Sequence, residues 1–412
     1  VIHHQGSFKE ILKTFDKESF DFIYLDGMHD REAVIEDLKS TIPLLKRGAL
    51  IGGHDYYTGV KDAIKEVLGI EPEIFSDSSW IIRLATTKLY ENVKEEDLYT
   101  WPNPNFPLKC ILNTEKHRVF ILSDLTHNYN WLKSVKPRDE DVFFVTFGWF
   151  LSEHLATQAD WMFNKINLNK KQFYLMYNSP EEKRNGDRLG FEGSIINNNA
   201  WLDERVYSIR SSTKKYDALY IGRPVTFKRH HLARKIDNLA LLAGDSCHGT
   251  ERSSLPKCKN DPFKFLDKAE ISEICAQAHC GLILSEEEGA CFASSEYLLC
   301  GIPVVSTESK GGRDFWYNEN NSIICDPNER SVKNATELAS LKEWNPRQIR
   351  ENHIKLMHET RDKFNSILTK KIPNIDPSRF QLDLPRRGID WYCNENSSAT
   401  PHLRDVESYF TK

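Results

Sequence analysis

Two carboxylates in this sequence have a spacing that suits ligand chemistry. Glu288 and Glu296 have seven residues between them and lie between an apolar run, predicted as a strand, and a predicted helix. Glu288 is thereby placed at the carboxyl end of a strand, where open α/β sheets bind ligands. The helix N-terminus offers a phosphate the backbone N–H groups of Gly289, Ala290, Cys291 and Phe292. Taken alone, the pair also fits a solvated helix start. Glycoside hydrolysis is disfavoured, because tandem acids on one loop and helix cannot flank a scissile bond.

Two cations precede this acidic pair. Gly222, Arg223 and Lys228 follow a predicted strand, and four residues separate the two cationic side chains. An arginine fork and a lysine point charge on one loop suit a diphosphate. Lys228 also opens a basic run that ends at His231, and this run by itself fits a solvated face or a weak nucleic-acid patch.

These motifs, in this order along the chain, resemble the nucleotide-sugar domain of retaining GT-B glycosyltransferases of the group 1, family 4-like type. The resemblance extends to the loop Ser309–Gly312, whose Gly311 and Gly312 would face the donor sugar, and to the segment Asn320–Pro327 that follows. It implies transfer of a sugar from a nucleoside diphosphate donor to an acceptor hydroxyl, with retention, in polysaccharide or glycan biosynthesis.

The resemblance also implies a role for each charged residue. Arg223 and Lys228 would bind the diphosphate and stabilise it as it leaves, so that the transferase needs no metal ion or other cofactor. Glu288 would hold hydroxyls of the donor sugar, and Glu296 would hold those of the ribose. No residue is assigned as a covalent nucleophile.

The first part of the chain carries a different pattern. Asp26 ends one predicted strand, His54 and Asp55 end the next, and a predicted helix lies between the two strands. This arrangement resembles the carboxyl half of an S-adenosylmethionine-dependent O-methyltransferase. The resemblance implies Asp26, His54 and Asp55 as ligands of a divalent ion that orients acceptor hydroxyls, with His29 near the place of the base. Capping of the strand ends is the alternative role for these aspartates.

We expect the half of that domain that binds S-adenosylmethionine to be missing from this sequence. Such sites need a glycine-rich first βα turn and an acidic residue after the second strand, and the sequence begins too late for either. We therefore expect Val1 to mark a truncation of a longer bifunctional polypeptide, or a degenerate remnant with a vestigial metal site. S-adenosylmethionine and a divalent metal are expected only in an intact parent domain.

The predicted fold class is α/β, with two Rossmann-like domains of a GT-B glycosyltransferase behind the partial Rossmann-like methyltransferase domain. The expected segments are the methyltransferase-like block (1–87), a linker (88–115), an acceptor domain (116–206), the nucleotide-sugar domain (207–372) and a C-terminal tail (373–412). Periodicity predicts helices over Arg31–Leu45 and near His231–Leu242, and helical sequence that continues to Leu368.

The expected acceptor domain departs from the resemblance. No glycine-rich pair follows its first predicted strand, and the segment is short for a full acceptor domain. Asp124, His127 and His154 are candidates for acceptor binding or acid–base work, with polar capping as the alternative. The Asn-rich stretch Glu192–Trp201 resembles the hinge that precedes the nucleotide domain.

Composition narrows the classes further. A net charge of -5, from 55 Lys and Arg against 60 Asp and Glu, gives no reason to expect nucleic acid as a partner. No apolar run is long enough to span a bilayer. We expect a cytoplasmic protein and leave open a peripheral association with a membrane. Nine cysteines without CxxC pairs favour reduced thiols, and Cys247, His248 and Cys258 match no compact zinc pattern.

Three other functions remain open from the sequence. The first is O-methyltransferase activity of the first block in a longer parent. The second is a sugar-nucleotide epimerase, which would share the diphosphate and ribose contacts. The third is a non-catalytic binding module with the same fold.

Overall fold

The computed structural model describes residues 8–16, 19–68, 71–83, 93–98, 108–113, 116–135, 137–244 and 251–373 of the 412. The chain forms two compact units. The first comprises residues 1–98 with 157–165 and 188–190, and the second comprises 99–156, 166–187 and 191–412. The predicted tail beyond Pro373, most of the predicted linker, and both Cys247 and His248 lie outside the described residues.

The first unit contains a four-stranded sheet in the order β1-β2-β4-β3. Its elements are α1 (Phe8–Leu12), β1 (Phe20–Leu25), α2 (Arg31–Thr41), β2 (Leu45–Gly53), α3 (Thr58–Leu68), β3 (Glu73–Ile74) and β4 (Trp80–Arg83). β1 and β2 are parallel, whereas β4 is antiparallel to β2 and β3 is antiparallel to β4. The predicted strand–helix–strand unit is therefore present.

Helix α2 is shorter than its periodicity predicts. Its first turn is capped by Asp30, whose carboxylate accepts the Ala33 N–H at 3.0 Å. The helix ends at Thr41, because Pro43 follows within a tight 3-10 turn that leads directly into β2. Buried apolar side chains on α2, α3 and the strands form the core of this unit: Val34, Leu38, Ile51, Val60, Ile64 and Ile82.

The second unit contains two five-stranded sheets. The first has the order β5-β6-β7-β8-β9, with β5 antiparallel to β6 and the other neighbours parallel. Its strands are β5 (Leu108–Asn113), β6 (Arg118–Ser123), β7 (Asp141–Thr146), β8 (Phe173–Tyr177) and β9 (Glu192–Ile195). β5 lies within the predicted linker 88–115. The prolines that argue against regular structure end at Pro107, so the residues after them are free to pair.

The second sheet of this unit is parallel throughout and has the order β11-β10-β12-β14-β16. Its strands are β10 (Tyr216–Ile221), β11 (Leu239–Leu242), β12 (Ala278–Ile283), β14 (Val304–Thr307) and β16 (Ser322–Cys325). Beyond its carboxyl edge, β13 (Glu287–Glu288) pairs with β15 (Lys310–Gly311) in a short parallel ladder. All five strands of the sheet end at one edge, which gathers their following loops.

The helices of this part of the chain connect the strands. They are α4 (Tyr129–Ser134), α5 (Glu153–Lys165), α6 (Pro180–Asp187), α7 (Lys268–Gln277), α8 (Phe292–Leu299), α9 (Glu329–Leu341) and α10 (Pro346–Lys371). The helical sequence predicted to continue to Leu368 is two helices, because Pro346 occupies the first position of α10 and ends the preceding periodicity. The α/β fold class with two Rossmann-like sheets is confirmed.

The helix predicted near His231–Leu242 is wrong. Residues His230–Ala233 form a short 3-10 turn, and Leu239–Leu242 form strand β11 beside β10. A four-residue apolar run is too short for periodicity to distinguish a strand from a helix, and pairing with β10 decides it.

Helix α10 joins the cores of the two sheets in the second unit. Its Phe364 ring lies 5.1 Å from that of Phe144 on β7 and 5.5 Å from Trp201. The same buried cluster includes Val119 from β6 and Leu219 from β10. Because both sheets pack on one helix, their carboxyl edges are held at fixed positions.

His353 on α10 provides a test of this core. It is 2% exposed beneath the Trp316 ring, and neither imidazole nitrogen has a hydrogen-bond partner among the described residues. Burial, helped by Arg350 and Arg361, lowers the pKa of His353 to about 3. The unfolded chain therefore binds a proton that the folded chain does not, and stability is lost as pH falls below 6.5 toward 3.

We expect His353→Leu to reduce this acid sensitivity. Between neutral pH and about pH 4.5, the wild type should lose about 2 to 3 kcal/mol more than the variant. Thermal unfolding of both proteins at the two pH values measures the difference. His231→Leu, at an exposed histidine, is the matched control and should follow the wild type. Equal acid sensitivity in His353→Leu and the wild type would contradict the assignment.

Candidate functional site

The predicted donor-site residues lie at the carboxyl edge of the second sheet. Gly222, Arg223 and Lys228 follow β10, Glu288 follows β12, and Gly311 follows β14. Parallel strands place these three loops side by side. The structure therefore brings together elements that are far apart in sequence.

Lys228 and Glu288 form an ion pair at this edge. The Lys228 Nζ contacts Glu288 Oε1, and the two side chains are only 12% and 10% exposed. Burial alone would lower the pKa of Lys228, but Glu288 outweighs it and the net shift is upward. Burial alone would raise the pKa of Glu288, but Lys228, the Ser285 hydroxyl and Arg313 together lower it. Both groups are therefore charged at neutral pH.

The loop after β10 aims Lys228 at Glu288. The Lys228 N–H donates to the Val225 carbonyl at 3.1 Å, and its own carbonyl accepts the Tyr220 hydroxyl. A Cβ at Gly222 would lie 3.5 Å from the Lys228 Cδ, so the lysine stem passes over this glycine. Arg223 is exposed, and its charge is close enough to oppose the net rise in the pKa of Lys228. The two cations thus share one small region.

The turn between Glu288 and helix α8 is fixed by residues that follow β7 and β9 in the other sheet of the second unit. Cys291 caps the helix in the left-handed conformation, with φ 56°. The Asn199 amide donates to the carbonyls of Ala290 at 2.9 Å and Cys291 at 3.0 Å. A Cβ at Gly289 would lie 2.9 Å from the Gly148 carbonyl oxygen, so only glycine fits there without a shift. Burial raises the pKa of Cys291 to about 12, which leaves its thiol neutral.

Gly311 and Gly312 hold Glu288 against the neighbouring sheet. Gly311 has φ +100°, and a Cβ there would overlap the Glu288 carbonyl oxygen. A Cβ at Gly312 would overlap Asn178 and lie 2.6 Å from its carbonyl oxygen. The Asn197 amide donates to the Gly312 carbonyl at 2.9 Å and to that of Asn178 at 3.1 Å. The predicted glycine loop is therefore where the two sheets approach each other.

Glu296 lies in the second turn of α8, is 9% exposed, and its carboxylate accepts the Tyr207 hydroxyl at 2.7 Å. Its predicted role with the ribose remains a prediction. Tyr207 carries no signal in the sequence that would have identified it as the partner of Glu296.

The loop after β7 faces the donor-site loops. The Trp149 indole N–H donates to Glu287 at 3.0 Å, and its ring packs edge-on against Phe227 at 4.7 Å. The Asn178 amide donates to the Phe147 carbonyl at 3.0 Å. The asparagines 197 to 199 lie in the stretch predicted as a hinge, but their bonds to the donor-site loops were not predicted, and neither was the loop after β7.

Glu182 anchors the same loop from beneath. Its carboxyl is buried and accepts the N–H of Leu151 at 3.2 Å and the N–H of Asn178. Burial raises the pKa of Glu182 to about 8, despite these hydrogen bonds. A single buried acid thus ties the loops after β7 and β8 together.

The predicted acceptor candidates lie in two places. Asp124 ends β6 in the left-handed conformation, and its Oδ2 lies 3.7 Å from the Nδ1 of His127. Burial raises the pKa of Asp124 to about 7, although the Gly148 N–H bonds to it, and burial lowers that of His127 to about 4. A Cβ at Gly289 would lie 2.9 Å from the Gly148 carbonyl oxygen, so Asp124 bonds a residue that adjoins the donor-site turn. His154 is exposed in the first turn of α5.

The first unit brings Asp26, His29, His54 and Asp55 to the ends of β1 and β2. His54 Nδ1 lies 3.0 Å from one Asp55 oxygen, and His29 Nε2 lies 3.3 Å from the other and 3.9 Å from Asp26. Both Asp55 oxygens are engaged by imidazoles. Within the described ranges, no group of three or more His, Cys, Asp or Glu side chains has metal-binding geometry. The residues as placed do not fit a divalent ion, and the metal assignment remains a prediction.

A small, shallow cleft lies at this cluster and is lined by Leu25, Met28, His29, Asp37, His54 and Trp80. Of the histidine and cysteine residues considered for zinc, Cys258 is described, and its thiol donates to the Asn260 carbonyl at 3.2 Å.

In the part of the chain that the structure covers, no helix has the length and apolar character to cross a membrane.

Comparison with known proteins supports both resemblances. A family model described as a methyltransferase domain matches residues 1–56. The solved structures to which the chain is similar include GT-B glycosyltransferases. No curated protein is significantly similar in sequence. Both similarities agree with the predicted resemblances, and neither assigns the chain to a family.

Three solved structures illustrate the similarity. HepE of Anabaena, in complex with UDP and glucose, is 14% identical, covers 57% of this chain and 72% of its own, and has a TM-score of 0.41. Sucrose-phosphate synthase of Thermosynechococcus elongatus is 12% identical, the match covers 61% of this chain and 73% of the synthase, and the TM-score is 0.44. The UDP-forming trehalose-phosphate synthase of Burkholderia xenovorans is 8% identical, the match covers 63% of this chain and 74% of that synthase, and the TM-score is 0.43. At TM-scores below 0.5 these similarities carry no argument about function.

Proposed function

We propose that the second unit transfers a sugar from a nucleoside diphosphate sugar to an acceptor hydroxyl. The observation that carries the proposal is the buried pair of Lys228 and Glu288 at the carboxyl edge of a parallel sheet. A cation for the diphosphate and a carboxylate for sugar hydroxyls are thereby adjacent, beside a glycine turn at a helix N-terminus.

The chemistry follows from these charges. The bond between the anomeric carbon and the diphosphate oxygen breaks, the acceptor oxygen takes its place, and the proton of the acceptor hydroxyl passes to the departing diphosphate. Negative charge grows on the departing diphosphate, and Lys228 with Arg223 stabilises it without a metal ion. Lys228 exchanges its contact with Glu288 for a phosphate when the donor binds. Glu288 is then available to accept hydroxyls of the sugar, and Glu296 is assigned to the ribose.

The finer features of this proposal come from the resemblance. They are retention of configuration, a role in polysaccharide or glycan biosynthesis, a cytoplasmic location and a peripheral membrane association. Asp124 and His127 are the acceptor-side candidates, because Asp124 accepts a hydrogen bond from Gly148, which adjoins the donor-site turn.

A thermal-shift screen with nucleotide sugars tests the proposal. We expect at least one of UDP-glucose, UDP-N-acetylglucosamine and GDP-mannose to stabilise the protein, by about 2.7 kcal/mol at 100 times its dissociation constant. Incubation of that donor with candidate acceptors, followed by mass spectrometry, then separates transfer from epimerisation and from binding without turnover. If no nucleotide or nucleotide sugar shifts the unfolding temperature, the proposal fails.

A second candidate function rests on the first unit. The match of a methyltransferase family model to residues 1–56 favours an O-methyltransferase relationship for this unit. Titration with S-adenosylmethionine, with and without Mg²⁺, measures it by calorimetry. Our expectation for this sequence is no binding, and a measurable dissociation constant would instead assign methyl transfer to this unit.

A further inference from the structure

Two arginines bind the last carbonyl groups of β12 and β14, behind the donor site. Arg313 has no exposed surface, and its Nη1 donates to the Ile283 carbonyl at 2.7 Å while its Nη2 donates to that of Thr307. Arg229 donates from Nε to the Leu284 carbonyl at 2.6 Å and from Nη2 to the Ser285 carbonyl at 3.0 Å. Four carbonyls at the edge of the sheet are thus held by guanidinium groups.

This arrangement changes the electrostatics of the edge. Carbonyls at the carboxyl ends of parallel strands present partial negative charge to a ligand, which is unfavourable for a sugar diphosphate. The guanidinium groups neutralise those dipoles and add positive charge. Burying an arginine is costly unless its donors are satisfied, and Arg229 adopts the left-handed conformation with φ 52°. Such features persist only where surrounding contacts enforce them.

Ser285 connects Arg313 to Glu288. The Nη1 of Arg313 lies 3.4 Å from the Ser285 Oγ, and the Ser285 hydroxyl in turn bonds the Glu288 carboxylate. Ser285 itself is fully buried. A fixed guanidinium therefore sets the position of the serine, and the serine sets that of the carboxylate.

We propose that Arg313, supported by Arg229, is a positioning residue that acts through Ser285 to hold the Glu288 carboxylate where it meets the hydroxyls of the donor sugar. This inference rests on the proposed function and assigns no ligand contact to Arg313 itself. Its positive charge has a second effect, because it keeps Glu288 ionised in a buried site. Only the ionised carboxylate accepts hydrogen bonds at both oxygens.

Several charged or titratable groups face Glu288: Lys228, Arg313, Tyr220, Cys291 and Asp314. Burial keeps Tyr220 and Cys291 neutral by raising their pKa values. Asp314 lies 3.2 Å from the Nε of Arg313, and burial raises its pKa to about 6. Loss of Arg313 removes a cation and raises the pKa of Glu288. As the pH falls, Glu288 is then protonated earlier, so the part of the donor affinity that depends on the sugar is lost at a higher pH than in the wild type.

Calorimetry with the uridine, guanosine and adenosine diphosphates and their glucose esters tests the inference between pH 5 and 8. The quantity of interest is the affinity of the glucose ester divided by that of its diphosphate. We expect Arg313→Met to lower this ratio about 10-fold near pH 6, as for loss of a charge-assisted contact. The acid midpoint of the ratio should rise by about one pH unit. Arg313→Lys should restore part of both effects.

Two further variants keep the test valid if Arg313→Met folds poorly. Ser285→Ala cuts the connection with almost no change in volume and should lower the ratio in the same direction. Asp314→Asn removes the titration of that carboxyl and should leave the acid limb of the ratio in place. The matched control is Arg350→Met, since Arg350 also holds backbone carbonyls, those of Tyr207 at 2.6 Å and Leu299. It should change stability but not the ratio.

The outcomes are distinct. A wild type that binds none of the six compounds overturns the proposed function and removes the inference with it. Wild-type binding with an unchanged ratio and unchanged acid midpoint in Arg313→Met and Ser285→Ala overturns the inference alone. An equal fall in ratio for Arg350→Met would assign the effect to general stability, which also overturns it.

Discussion

Replacement of Lys228 by alanine is expected to reduce nucleotide-sugar turnover by about 10²- to 10³-fold, as for loss of one group that stabilises developing charge. The reason is geometric. Lys228 is held over Gly222, bonded through its backbone to Val225 and Tyr220, and directed at Glu288. Once Lys228 has exchanged its Glu288 contact for the phosphate of the bound donor, it is in place before charge appears on the departing diphosphate. Release of the nucleoside diphosphate, measured with saturating donor, gives the effect.

The same variant should lower the free energy of unfolding by about 3 to 5 kcal/mol, because Glu288 stays buried without its cation. The double variant Lys228→Met, Glu288→Gln separates the effect of the pair on stability from its effect on turnover. Removal of both charges should restore most of the stability, as measured by chemical denaturation, while turnover stays low. Turnover at the wild-type level in the double variant would show that the pair is structural and that the donor site lies elsewhere.

Lys235→Ala is the matched control for this series. Its side chain is 55% exposed, and its Nζ lies 3.9 Å from a Glu329 oxygen, so it forms a surface ion pair in the same unit. Such pairs contribute about 0 to 1 kcal/mol. Stability and turnover of this variant should both stay close to those of the wild type.

Gly311→Ala is expected to disrupt the donor site more directly than any charge change. An alanine there would adopt φ +100° and place its Cβ on the Glu288 carbonyl oxygen. The left-handed backbone and the overlap together should cost about 3 kcal/mol or more. Relief of the overlap requires separation of the β13 and β15 ladder that holds Glu288. We therefore expect donor binding to be lost even at temperatures where the protein remains folded.

Gly244→Ala supplies the control for backbone strain alone. Gly244 has φ +61°, and a Cβ there would meet nothing within 4 Å. This variant should lose about 1 to 2 kcal/mol through its left-handed backbone and keep its affinity for the donor. Calorimetric titration and thermal unfolding of the two variants, side by side, decide the matter. Equal donor affinity in Gly311→Ala and Gly244→Ala would contradict a role for this ladder.

Much of the fold could be predicted from local pattern. β1 ends at Leu25, directly before Asp26, as the sequence predicts, because a short apolar run there gives way to turn residues. β11 was mistaken for helix because its four residues show no period. β5 was placed in the linker because only its partner β6 shows that it forms a strand.

The donor-site loops could also be predicted, for a reason of topology. Lys228, Glu288 and Gly311 each follow a parallel strand, and parallel strands of one sheet end at one edge. Order along the chain is then enough to predict that they meet. Asp26 and Asp55 likewise end neighbouring parallel strands, and their proximity through His29 follows from the same rule.

The sequence by itself thus determined which residue types stand at which strand ends, because that depends on local periodicity and strand order. Only the tertiary structure decided which atoms they bond. Glu296 bonds Tyr207, the carbonyls beside Cys291 bond Asn199, and Arg313 lies behind Ser285. These partners are many residues apart, and no local pattern encodes them. Burial and ion pairing together fixed the charge states, since the pKa values of Glu288, Lys228 and Asp124 depend on everything packed around them.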